Sequence, residues 1–438
     1  MFIRFFPLEH GRMSHLQAHR VATALCFAWL ASAASAQTTN PPFGQAPHLK
    51  QALDAAWQLS GSIRAESNRR IELAAKEKAA SSWISGEPVA GVAHRTDRLN
   101  QNEGFREYEA EIELPLWNPG VRAAAQADAS AQRQGFDGQF ALSKLKLAGE
   151  LRVLAASAAL AQVELDLNKR KLSDGTVLAQ DLSRRVKAGE NARVDSLQAQ
   201  VLVQQAQAAI AQADSQLTRL QNQWRSLTGL TTVSALDEMP PSLAADAGSN
   251  AATKVATNAP IPAEHPALRN AQAQLGSARA KLALTEADKR DPMSVAIGVG
   301  RERSNFVATN ETKLRIALRI PLGGDNRNAP RLAAARAELD AAQAEADAVQ
   351  RQLPAELMAA TADLRAARLA QVAARERASL STEVQALITK SWRLGDSDLP
   401  TRLRADNEQF EASLSLARSA IEVQRAIANL NQALGVLP

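Results

Sequence analysis

Residues 106–120 read REYEAEIELPLWNPG, and this stretch decides how the chain folds. Four glutamates occupy every second position and mostly apolar residues stand between them: Glu107, Glu109, Glu111 and Glu113 against Tyr108, Ala110, Ile112 and Leu114. A period of two predicts a β-strand with one charged and one apolar face. Asn118-Pro119-Gly120 ends the strand, and a long Ala- and Gln-rich stretch with high helix propensity follows.

The same pattern occurs again 206 residues further along the chain. Three anchors keep this offset without a gap: Pro115 and Pro321, Gly189 and Gly395, Gly229 and Gly435. In the second copy the charged positions are mostly basic: Lys313, Arg315 and Arg319 alternate with Leu314, Ile316 and Leu318. A repeat is usually one supersecondary unit that cannot bury its apolar face alone. We therefore expect two β-hairpins and two long helical hairpins in one chain.

The N-terminus resembles an export signal over residues 1–36, with translation starting at Met1 or Met13. A basic start is followed by an apolar run and by Ala34-Ser35-Ala36, which fits the small-residue cleavage rule. The only cysteine, Cys26, lies inside that run, so we expect no thiol chemistry in the exported chain. The net charge of +5 is too mild to indicate a nucleic-acid partner.

The predicted organisation is a first repeat over 37–230, a Pro- and Ala-rich linker over 231–262 and a second repeat over 263–438. In the first repeat we expect strands at about 88–95 and 106–116, and helices at about 47–84, 119–187 and 193–230. In the second we expect strands at about 294–303 and 313–322, and helices at about 263–290, 328–392 and 401–436. Heptads in the returning helices predict coiled-coil packing, with Val203, Ile210, Leu217 and Trp224 on one seam position and Ala206, Ala213, Leu220 and Leu227 on the other.

Catalytic chemistry has little support in this sequence. No zinc-protease, nucleophile-elbow or phosphate-loop motif occurs. The histidines beyond the predicted signal, His48, His94 and His265, are scattered, and we expect them to be isolated surface residues. The chain is predicted not to be an enzyme and to need no cofactor or metal.

Two sets of residues are candidates for function. The first is the charged strand face, where Glu107, Glu109, Glu111 and Glu113 would lie in water opposite Arg315 and Arg319. Its role is either cross-strand ion pairing or a cation-attracting ring. The second set lies at the glycine turns between the long helices: Gly189, Asp195, Gly395, Asp396 and Asp398. These residues either cap helices or form a distal mouth held by a partner protein.

The duplicated segments REYEAEIELPLWNPG, RVKAGENARVDSLQAQ and LTGL together resemble the TolC-type outer-membrane efflux factors, over roughly residues 47–438. Residues 81–120 most resemble the CzcC-like branch, which serves heavy-metal exporters. The resemblance implies a mainly α protein with a small β part, assembled as a homotrimer. Twelve strands would form one barrel in the outer membrane of a Gram-negative bacterium, continued by a periplasmic α-helical barrel.

The resemblance also implies a passive exit duct for heavy-metal cations. Its partners would be outer-membrane lipid, a periplasmic adaptor and an inner-membrane pump of the resistance-nodulation-division class. An alternative is the duct of a type I protein secretion or drug efflux system, and a second is a periplasmic coiled-coil adaptor without a channel. In well-known relatives an aspartate ring narrows the entrance, but the corresponding positions here are Thr401 and Arg404.

Overall fold

The computed structural model describes residues 48–239, 262–322 and 325–438, except for the side chains of 325–327. The predicted export signal, with Met13 and Cys26, and most of the predicted linker lie outside these residues. Within the described part of the chain, no helix is long and apolar enough to cross a membrane.

The chain forms two copies of one arrangement of helices and strands. The first copy contains α1 Leu49–Leu59, α2 Gly61–Ser81, β1 Val89–Thr96, β2 Arg106–Leu116, α3 Val121–Lys187 and α4 Arg193–Thr228. The second contains α5 Pro266–Ala287, β3 Met293–Arg303, β4 Glu311–Arg319, α6 Asp325–Leu394 and α7 Leu399–Ala433. At 1.5 Å per residue, α3 with 67 residues and α6 with 70 residues are each about 100 Å long.

The fourth strand ends at Arg319 rather than at residue 322. Pro321 follows, and proline has no N–H to donate to a sheet. The first helical region consists of α1 and α2, separated at Ser60, whose backbone is extended (φ −64°, ψ 142°).

The two hairpins join into one antiparallel sheet of four strands in the order β1-β2-β3-β4. The copies meet at β2 and β3, where Glu113 lies opposite Ala296. Asn118 fixes this junction: its Nδ2 donates to the carbonyls of Arg290 (3.0 Å) and Asp291 (3.1 Å). Its Oδ1 accepts the N–H of Met293 (3.3 Å), so the turn after β2 holds the start of β3.

The long helices α3 and α6 connect the sheet end of the molecule to the far turns. In the half near the sheet, α3 packs against α2 and α5, and α5 packs against α6. In the far half, α4 packs on α3, α3 on α7, and α7 on α6. The predicted seams are largely buried, with Ala206, Ala213, Leu217, Leu220 and Trp224 inside and Val203, Ile210 and Leu227 partly exposed.

A buried arginine ties the two copies together where these halves meet. Arg152 of α3 is 2% exposed, and its Nε donates to Glu238, which follows α4, at 2.8 Å. Its other nitrogens donate to Gln432 Oε1 (2.5 Å) and to the carbonyl of Val436 (2.9 Å), at the end of α7. Asn431 donates to the second oxygen of Glu238 at 2.8 Å, so this group of polar atoms is well satisfied.

Arg152→Met is expected to lower the free energy of unfolding by about 3–5 kcal/mol, because it leaves the carboxylate of Glu238 buried without its cation. Denaturant unfolding followed by circular dichroism measures the change. Arg418→Gln is the matched control: it removes an exposed pair with Glu164 (2.6 Å) and should cost less than about 1 kcal/mol. Equal losses in both variants would contradict a special role for the buried arginine.

Candidate functional site: the charged sheet face and the helix tips

The glutamates of β2 and the basic residues of β4 lie on one face of the sheet and form ion pairs across it. Glu109 lies 3.7 Å from Arg315, and Glu111 lies 3.7 Å from Arg319, which also bonds Glu113. At the hairpin end, Glu107 pairs with Arg95 at 3.3 Å and Glu302 with Lys313 at 2.6 Å. The predicted acidic and basic residues are therefore brought together in one chain.

Small residues on β3 allow the glutamates of β2 to reach the cations of β4. Ala296, Gly298 and Gly300 stand between the two charged rows. A Cβ at Gly298 would lie 3.1 Å from the Cβ of Glu111, closer than most such contacts. A glycine at this position therefore leaves room for Glu111 beside β3.

The opposite face of the sheet is apolar and exposed. Its residues include Val92, Ile112, Ile297, Val299, Leu314, Ile316 and Leu318. Ile316 is 70% and Leu314 69% exposed, so no described element of this chain covers them. An exposed apolar surface of this kind indicates contact with a partner or a membrane.

The glycine turns at the far ends of α3 and α6 have the same geometry in both copies. Gly189 (φ 81°) and Gly395 (φ 85°) both adopt the left-handed conformation that favours glycine. In the first copy, the N–H of Gly189 donates to the carbonyl of Val186, and the N–H of Glu190 donates to that of Arg185. In the second copy, the N–H of Gly395 donates to the carbonyl of Trp392, and the N–H of Asp396 donates to that of Ser391. Both glycines therefore terminate a helix, as the local interpretation of the sequence requires.

The next helices begin differently in the two copies. Asp398 caps α7, accepting the N–H of Thr401 at 3.1 Å, and hydrogen bonding from Thr401 lowers the pKa of this carboxyl. Asp195 was expected at the start of α4 in the same role, but Ala192 occupies the cap position and makes no side-chain bond. Asp195 lies within the first turn of α4 and accepts the amide of Asn191 at 3.1 Å.

A tryptophan-arginine cluster beside the tips was not predicted from the sequence. Arg185 and Arg402 both contact Trp392, with guanidinium carbons 4.5 and 4.1 Å from its ring centre. Burial lowers the pKa of Arg402, and the charges of Arg393 and Arg185 act in the same direction while Asp406 opposes them. A cleft of about 510 Å³ adjoins this cluster, lined by Lys171, Asp174, Thr389, Arg402 and Phe410. In the sequence, the only sign of this cluster is a single tryptophan, Trp392, close to the glycine turn at Gly395.

The histidines are not all at the surface, which corrects one prediction. His265 is 3% exposed because it caps α5 and packs against the Gly435 turn. Burial lowers its pKa, and the charge of Glu356 partly opposes this. His48 bonds Asp237 (2.7 Å) and His94 stacks on Tyr108 (4.4 Å between ring centres). Among the residues that the structure describes, no group of His, Cys, Asp and Glu is arranged to hold a metal ion.

Comparison with known proteins identifies the fold. No protein-family model and no curated protein matches the sequence. Among solved structures, the outer membrane protein VceC from Vibrio cholerae matches with a TM-score of 0.69 and 13% identity, covering 89% of this chain and 96% of that one. CusC matches with a TM-score of 0.69 and 15% identity, covering 89% and 92%. The MtrE outer membrane channel of Neisseria gonorrhoeae matches at 0.66 and 16%, covering 90% of each chain.

These structures define the class of fold. The chain has a mainly helical structure with a small antiparallel sheet, and it shares this fold with TolC-type outer-membrane channels over almost its whole described length. At these identities the likeness is one of fold. Resemblance to the heavy-metal branch stays a prediction.

Asp398 caps the start of α7, whereas Ala192 at the equivalent position before α4 has no capping side chain. Asp398→Ala should lower the midpoint of denaturant unfolding at pH 7, because the N–H of Thr401 loses its acceptor. Ala192→Asp should raise it by supplying to the first copy the cap that the second has. Since the pKa of Asp398 is lowered in the fold, its contribution is complete above the ordinary value of about 4 and is lost as pH falls through the folded value. Wild type and Asp398→Ala should therefore converge in acid, and a difference that persists there would contradict the capping role.

Proposed function

We propose that this protein is the outer-membrane exit channel of a tripartite efflux system. It would act as a homotrimer that receives substrate through a periplasmic adaptor from an inner-membrane pump of the resistance-nodulation-division class. The observation that carries the proposal is the sheet with one charged face, one exposed apolar face and two open edges. The shared fold with outer-membrane channels supports it.

The sheet needs further strands to close. Within the described residues, β1 and β4 each pair on one side only, and open edges in a membrane would leave backbone groups without partners. Further copies of the chain supply matching edges. Three copies of a four-stranded sheet make a closed barrel of twelve strands, an even number within the range of bacterial barrels.

The helices offer complementary edges for the same assembly. In the far half, α4 and α6 are the outer helices of the layer. Each carries an exposed apolar stripe: Val194, Leu197 and Val201 on α4, and Leu380, Val384 and Leu387 on α6. A ring in which α4 of one copy meets α6 of the next buries both stripes, and a heterologous contact of this kind closes by rotation.

The apolar face would then contact lipid and the charged face would line a lumen. Exposed Trp83 lies at the helix end of the sheet and Tyr108 lies near the hairpin end, which fits the aromatic girdles of membrane barrels. On the charged face, the carboxylates Glu107, Glu109, Glu111, Glu113, Glu302 and Glu311 exceed the cations Arg95, Lys313, Arg315 and Arg319 by two. The lumen would therefore be ion-paired and still weakly attract cations.

The favoured cargo is a heavy-metal cation, supported by the resemblance of residues 81–120 and by this acidic excess. The alternative is a duct for type I protein secretion or for drug efflux, and growth phenotypes separate these cargoes. Deletion of the gene should raise sensitivity to zinc, cobalt or copper salts without altering secreted proteins. The adaptor alternative predicts recovery in the soluble periplasm instead of the outer membrane.

Conductance tests the channel and its lining together. Wild-type trimers in planar bilayers should conduct ions and favour cations. Glu109→Gln combined with Glu111→Gln removes two negative charges per chain and should abolish that preference, measured as the reversal potential across a salt gradient.

Glu72→Gln is the control, because Glu72 bonds Arg69 and Lys76 on α2, away from the sheet. Unchanged selectivity in the double variant would leave only the ion-pairing role. If trimers conduct no ions, even when Trp392→Ala removes the centre of the tryptophan-arginine cluster, the channel proposal is contradicted.

The tips are the proposed adaptor contact, formed by Gly189, Asp195, Gly395, Asp396 and Asp398. Both glycine turns are at the helix ends farthest from the sheet, where a periplasmic partner would meet the channel. A Cβ at Gly395 would meet no atom within 4 Å, so space is available and only the backbone angle restricts substitution.

Gly395→Val should therefore disturb the turn through its φ angle and reduce export, whereas Gly395→Asn should be tolerated because Asn adopts the left-handed conformation more readily. Metal resistance of a complemented deletion strain measures export, and native gels check that trimers persist. Full resistance with Gly395→Val would count against a functional mouth at this turn.

A further inference from the structure

Three arginines lie on the apolar face of the sheet, at its hairpin end. In the pairing of β2 with β3, Arg106 lies directly opposite Arg303, and Tyr108 lies opposite Arg301. Because side chains alternate along a strand, these arginines share a face with Ile112 and Val299 rather than with the glutamates. Like charges directly opposite each other are destabilising.

No carboxylate in the described part of the chain forms an ion pair with these three arginines. The neighbouring glutamates point to the other face, where Glu107 pairs with Arg95 and Glu302 with Lys313. None of the ion pairs formed by the described residues involves Arg106 or Arg301. Arg303 donates to the carbonyl of Gly104 at 3.3 Å and lies 5.7 Å from the ring centre of Phe306. The sheet thus separates its charges, with an acidic excess on one face and unpaired arginines on the other.

The position of the arginines along the strands fits a headgroup region. On β2 the outward residues run from Leu116 through Leu114, Ile112 and Ala110, then to Tyr108 and finally Arg106. At about 3.4 Å per residue, this places the arginine one outward position, about 7 Å, beyond the tyrosine. Tyrosine favours the interface between hydrocarbon and headgroups. Tyr108 is the single tyrosine of the chain, and it stacks on His94 on the same face.

A second copy of the chain does not fit as the occupant of this surface. Strands β2 and β3 are the inner strands of the sheet, flanked by β1 and β4. In a ring closed through the strand edges, the outward face of the inner strands remains open to whatever surrounds the barrel. Whatever covers it has to be apolar beside Ile112 and Val299 and anionic beside the arginines.

We propose that Arg106, Arg301 and Arg303 bind the phosphate groups of lipids in the outer leaflet of the outer membrane. This inference rests on the proposed function, which puts the apolar face in lipid and the hairpin end outward. A guanidinium offers a planar fork of donors that matches phosphate oxygens, and phosphates on neighbouring lipids would offset the repulsion between Arg106 and Arg303. The contact would fix the depth and orientation of the barrel in an asymmetric membrane.

Binding of lipid A by the full-length, detergent-purified protein tests the proposal. Bisphosphorylated lipid A should bind more tightly than the monophosphorylated form, and the dephosphorylated form should bind weakly. Removing one cation near a lipid surface is expected to weaken binding about fivefold, so Arg106→Gln combined with Arg301→Gln should weaken it about 30-fold. Arg95→Gln is the matched control, since Arg95 stands at the same level on the opposite face; it should bind like wild type.

Three results would overturn the inference: equal affinity for the dephosphorylated lipid, unchanged binding by the double variant, or an equal loss with Arg95→Gln. Competition identifies the source of the phosphate, because millimolar inorganic phosphate that displaces lipid A completely would indicate a simple anion site instead. Conductance of the same preparations in phospholipid bilayers separates this test from that of the channel. Variants that conduct ions and bind lipid A as tightly as wild type would contradict the lipid site and leave the channel proposal intact. Wild-type trimers that bind phosphorylated lipid A but conduct nothing would support the lipid site and contradict the channel.

Discussion

Because charged and apolar side chains alternate strictly on β2 and β4, the two faces of the sheet require different surroundings. Glu109 and Arg315 pair on one side, while Ile112 and Ile316 are exposed on the other. A charged face needs water and an exposed apolar face needs lipid or protein, so a lone chain in water satisfies only one of them. The proposed closure with other copies, with water inside the barrel and lipid outside it, would give each face the surroundings that it requires.

The two long helices, α3 and α6, extend from the sheet to the distant glycine turns. Continuous α3 and α6 provide the length, while α2 and α5 pack beside them near the sheet and α4 and α7 in the far half. The change of partners occurs where Arg152 joins α3 to Glu238 and to the end of α7. A buried, fully bonded arginine at this level holds both copies in register, because misalignment would leave its charge or that of Glu238 unpaired.

Duplication has produced equivalent backbones with different chemistry. The turns at Gly189 and Gly395 share their hydrogen-bond pattern, yet only the second copy has a capping aspartate, Asp398, and a tryptophan that contacts two arginines. Similarly, β2 is acidic where β4 is basic, and the glycines of β3 let the two rows meet. Each of these two surfaces is therefore built from both copies. The first copy contributes the acidic strand and Arg185, and the second contributes the basic strand and Trp392.

The strands, the helices and their apolar faces can be predicted from the sequence, because the periods of two and of seven residues and the glycine turns are local properties of the chain. The sequence also predicted that Glu109 and Arg315 belong to one surface. Four features depend instead on the packing of the whole chain: β2 pairs with β3, His265 is buried, Trp392 contacts Arg185 and Arg402, and Arg106 lies opposite Arg303. These contacts join residues far apart in the chain, and their register depends on packing that no local period encodes.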